Sequence, residues 1–120
     1  MTERDPKLLA QSWLTVQRHW WAYQALLDLG RSNPQEALTA ILALVELAGT
    51  PELLERVGAG PLEDLLEYHG AAVIDEVESR AQTDSALRAA LSHVWLTEGV
   101  GSSSIGNRLL SLGCRVVPTR

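Results

Sequence analysis

The sequence has no phenylalanine and only one cysteine. A lone Cys114 allows no internal disulfide and no Cys-x-x-Cys pair for zinc or redox work, so a reducing, cytoplasmic setting is expected. Without phenylalanine, the bulky aromatic part of a core falls to Trp13, Trp20, Trp21 and Trp95 with Tyr23 and Tyr68. Long apolar runs are missing as well. The longest, Ala40 to Val45, is far short of the roughly 20 residues a membrane-spanning helix requires. The start Met-Thr-Glu-Arg-Asp-Pro lacks the cationic and apolar stretches of a secretory signal, so no membrane partner is expected.

What is present is globular in character. The chain has 120 residues, 46% hydrophobic and 21% charged, a composition that calls for one packed core. Four of its five prolines follow a residue able to cap a helix: Asp5-Pro6, Asn33-Pro34, Thr50-Pro51 and Gly60-Pro61. Proline suits the first helical position because the N–H it lacks would be unpaired there. Each pair therefore predicts a helix start, and Glu36 three residues after Asn33 adds a reciprocal cap.

The apolar spacing fills in the helices. Leu9, Trp13, Val16, Trp20, Tyr23 and Leu27 share one face. An unbroken helix from Pro6 to Leu29 would be about 36 Å long, so a break near His19 is the alternative. Pro34 to Ala48 is apolar around much of its circumference and is expected to be central. Pro51 to Val57 is expected to stop at Gly58-Ala59-Gly60, and Pro61 to His69 at Gly70. One further helix carries Val73, Ile74, Val77 and Ala81; another, capped by Asp84, carries Leu87, Leu91, Val94 and Trp95. Only Arg115 to Val117 reads as strand. The expected fold is all-α, a multi-helix bundle or a short stack of antiparallel helical hairpins. Residues 1–98 form the helical domain, and 99–120 read as a Gly/Ser linker and apolar tail that folds back on the domain or docks elsewhere.

No catalytic set is evident. Glu63, Asp64, Glu67 and His69 could be gathered for hydrolysis or metal binding, but the acids fall opposite Leu62, Leu65 and Leu66, which predicts a solvated row. His69 is expected at a helix end, meeting free carbonyls rather than a metal. Ser102 to Ser104 lie in the linker, and Gly99 to Gly106 lacks the Gly-Lys-Ser/Thr ending of a phosphate loop. No cofactor is expected. Trp20 and Trp21 project about 100° apart on a helix, so one of them, with His19 and Arg18 nearby, is a candidate binding surface.

Charge is distributed unevenly. Residues 46–78 carry nine acids against Arg56 alone, a net of minus eight within a chain of minus five. Such a field repels nucleic acid and attracts a basic protein. Glu52, Glu55, Glu63, Asp64, Glu67 and Trp21 are the candidate partner-binding residues, with self-association through the Trp-rich helix or the tail as a further reading.

Asn33-Pro34-Gln35-Glu36-Ala37 with Ile41 to Val45, then Ala59-Gly60-Pro61-Leu62-Glu63-Asp64-Leu65-Leu66 and His69-Gly70, and Trp95 after Ala89-Ala90-Leu91, resemble a bacterial family of small helical proteins known only as a domain of unknown function. The resemblance runs from Trp20 to Trp95, and the chain from Leu96 onward looks unlike it. It implies a bacterial origin and a helical fold and carries over no activity. The functional expectation is a non-enzymatic interaction module, of the immunity-inhibitor or adaptor kind, meeting a basic partner through its acidic face. The alternative is a small hydrolase or metal-dependent enzyme using Glu63, Asp64, Glu67 and His69.

Overall fold

In a computed structural model of the chain, the described residues are Pro6, Lys7, Ala25, Asp28, Leu29 and 31–117. Trp13, His19, Trp20, Trp21 and the other residues of the helix expected between Pro6 and Leu29, apart from those five, lie outside them.

Local chemistry accounts for three helix starts. The Asn33 side chain accepts the Glu36 N–H at 3.2 Å, the cap expected before α1 (Pro34–Leu47). The Glu36 carboxylate, however, accepts from the Asn33 side-chain amide at 3.0 Å, and the Asn33 N–H goes instead to the Leu29 carbonyl at 2.7 Å. Thr50 accepts the Leu53 N–H at 3.2 Å ahead of α2 (Pro51–Val57). Helix α1 buries Ala37, Leu38, Ala40, Ile41, Leu44 and Val45, so it is central as its pattern required.

Downstream of α2 the expected stop is absent. Gly58 is right-handed helical (φ −65°, ψ −48°), and the chain runs through one π-helical turn, Gly58–Leu62, straight into α3 (Glu63–Ala81). Pro61 explains the wider turn, because it offers no N–H and its ring crowds the carbonyl four residues back. Close approach explains Gly58: a Cβ there would sit 2.0 Å from the Ala90 carbonyl oxygen of α4 (Ser85–Leu91). The glycine admits a neighbouring backbone instead of ending a helix.

Gly70 does not stop α3 either. The helix kinks at His69 (φ −139°, ψ 26°) and continues, burying Leu65 and Leu66 before the kink and Val73, Ile74, Val77 and Ala81 after it. Asp84 caps α4 through the Leu87 N–H at 3.0 Å. That helix ends at Leu91, short of the expected Trp95, and Trp95–Leu96 form strand β1.

From β1 the chain folds back on the helices. Two short helices, α5 (Glu98–Gly101) and α6 (Gly106–Ser111), lead to β2 (Arg115–Val116), which pairs in parallel with β1, Trp95 opposite Arg115 and Leu96 opposite Val116. Leu96, Leu109 and Cys114 join the single core cluster that begins at Leu29. Two of the glycines that make this stretch look like a linker serve packing, since a Cβ on Gly106 would lie 2.0 Å from the Gly101 carbonyl oxygen and one on Gly101 2.6 Å from the Val116 side chain. The fold is all-α, with one small two-stranded sheet among the described residues. Among the described residues, no helix is long and apolar enough to cross a membrane.

Candidate functional site

Strand β1 decides where the acids of α3 go. Arg115 and Val117 of the β2 segment donate their N–H groups to the carbonyls of Val94 and Leu96 at 2.9 and 2.8 Å. The amides of Trp95 and Thr97 therefore lie on the opposite edge, where an unpaired strand would invite other chains. Glu63 accepts the Trp95 N–H at 2.7 Å, and Glu67 accepts both the Thr97 N–H at 3.0 Å and the Thr97 hydroxyl at 2.6 Å. The two glutamates stand in for a neighbouring strand. Both are half-buried, which corrects the expectation of a solvated row.

Further along α3 a second pair of acids is also engaged. Arg108 of α6 donates to Asp75 at 2.5 Å and to both carboxylate oxygens of Glu78 at 2.5 and 3.0 Å. The guanidinium holds the Glu78 carboxyl below the usual glutamate range. Four of the nine acids between residues 46 and 78 thus fasten the C-terminal segment to α3.

A cleft of about 370 Å³ opens beside the contact of Glu63 and Glu67 with Trp95 and Thr97. Glu63, Asp64 and Glu67 lie on its α3 side, and Tyr68, Trp95 and Val117 line it with them. Tyr68 is 67% exposed and Trp95 39%, and the Arg115 guanidinium lies over the Trp95 ring, 5.5 Å from its centre. Burial raises the Glu63 pKa above its ordinary value; the Trp95 amide opposes this, while the charges of Glu67 and Asp64 add to it.

His69 opens onto a different cleft, of about 390 Å³, bordered by Glu67, Val100, Ser103, Ser104 and Ile105. The four residues considered for hydrolysis therefore do not share one cleft with His69 among them. Among the described residues, no group of three histidine, cysteine or acidic side chains is placed to hold a metal ion. Ser103 donates its hydroxyl to the Val100 carbonyl at 2.6 Å. Cys114 is buried, and burial pushes its thiol up to about 12.

Of the other candidate partner-binding residues, Glu52 and Glu55 are exposed on α2, and neither forms an ion pair among the described residues. Trp21 lies outside the described residues. Tyr68 and Trp95, expected in the core for want of phenylalanine, are exposed because the leucines, isoleucines and valines of the helices fill it. Thr97, Arg108 and Arg115 were not singled out as site residues from sequence. Their roles depend on contacts with residues far away in the chain, and only the strand reading at Arg115 hinted at one of them.

The model of a family of unknown function, DUF6869, matches residues 11–113. The chain belongs to this family. The DUF6869 match runs past Leu96, where the resemblance had been expected to end, and takes in both short helices. It therefore includes both halves of the contact that joins Glu63 and Glu67 to Trp95 and Thr97. No curated protein and no solved structure matches the chain.

Proposed function

We propose that the protein is a bacterial, cytoplasmic, non-enzymatic interaction module, an immunity-type inhibitor or adaptor, that meets a basic partner protein through its acidic stretch. The observation that carries this reading is the division of labour among the acids. Glu63, Glu67, Asp75 and Glu78 are bound within the fold, whereas Glu52 and Glu55 stand exposed and unpaired among the described residues. Exposed acids of this kind steer a cationic protein into encounter and repel nucleic acid.

The test is capture from a bacterial lysate by the immobilised wild-type chain and by the E52K/E55K double variant, with the retained proteins identified. A set of basic proteins that elutes with salt and is lost with the variant supports the proposal. Retention of the same proteins by both chains contradicts it.

A further inference from the structure

We draw no further inference here: the strongest candidate, the exposed patch of Tyr68, Trp95 and Val117 where the edge of the β1–β2 sheet meets α3, carries nothing because nothing in the structure shows what covers it.

Discussion

Glu67 holds Thr97 twice, taking its amide at 3.0 Å and its hydroxyl at 2.6 Å with the two oxygens of one carboxylate. Hydrogen bonds to a charged group contribute about 1.5–3 kcal/mol when shielded, and partial exposure here reduces that. Glu67→Ala should cost about 1–2 kcal/mol in urea unfolding and Thr97→Ala less, because the amide contact survives the second change. A double-mutant cycle should return a favourable coupling of about 0.5–1 kcal/mol. Strict additivity would mean that the hydroxyl contact contributes nothing, and an unchanged stability in Glu67→Ala would mean that the carboxylate does not anchor the strand.

The starts of the helices were legible because caps are local. Asn33, Thr50 and Asp84 each satisfy an amide three residues ahead, a relation written in adjacent sequence. The ends were harder, since what glycine does depends on what packs against it. Gly58 could be read as a stop, yet its use is to admit the Ala90 carbonyl, 32 residues away. The acids were misjudged for a similar reason. Glu63 and Glu67 are four residues apart, a rise of about 6 Å on a helix, and Trp95 and Thr97 are two apart, about 6.6 Å on a strand. The two spacings match, but only once β1 lies beside α3. Reversing Glu63 and Glu67 to lysine would therefore disturb the fold together with the surface charge, and Glu52 and Glu55 are the better positions for testing electrostatic docking.

The C-terminal segment is part of the core, and neighbouring leucines of α6 separate that claim from simple surface contact. Leu109 is fully buried and Leu110 is 41% exposed. Leu109→Ala should destabilise the protein by about 2–5 kcal/mol, and Leu110→Ala by about 0.5 kcal/mol or less. Similar small effects for both in thermal or urea unfolding would mean that the segment contributes nothing to the core.

Burial of Glu63 makes a prediction about pH. Its folded pKa is raised above its unfolded value, first by desolvation and then by the charges of Glu67 and Asp64. The neutral form is thus favoured on folding, and its contribution is fully present below the unfolded value and lost as pH rises through the folded one. Glu63→Gln keeps an oxygen for the Trp95 amide and removes the charge. At neutral pH it should be at least as stable as the wild type, with a flatter stability profile just above the ordinary glutamate range. Glu63→Ala, which removes the acceptor, should be less stable than either. A clear loss of stability in Glu63→Gln at neutral pH would show that the charge itself holds the strand.

The central functional claim concerns how a basic partner arrives. Exposed charges act mainly on association, screened over about 8 Å at physiological salt, whereas packed contacts govern dissociation. The most direct measurement is stopped-flow association of a basic protein captured from lysate with the wild-type chain and with E52K/E55K, at low and high salt. The double reversal changes the local charge by plus four and leaves the contacts of Glu63 and Glu67 intact. The account predicts association slowed about tenfold or more at low salt, converging with the wild type at high salt, with dissociation little changed. Equal association rates for the two chains at low salt would contradict it.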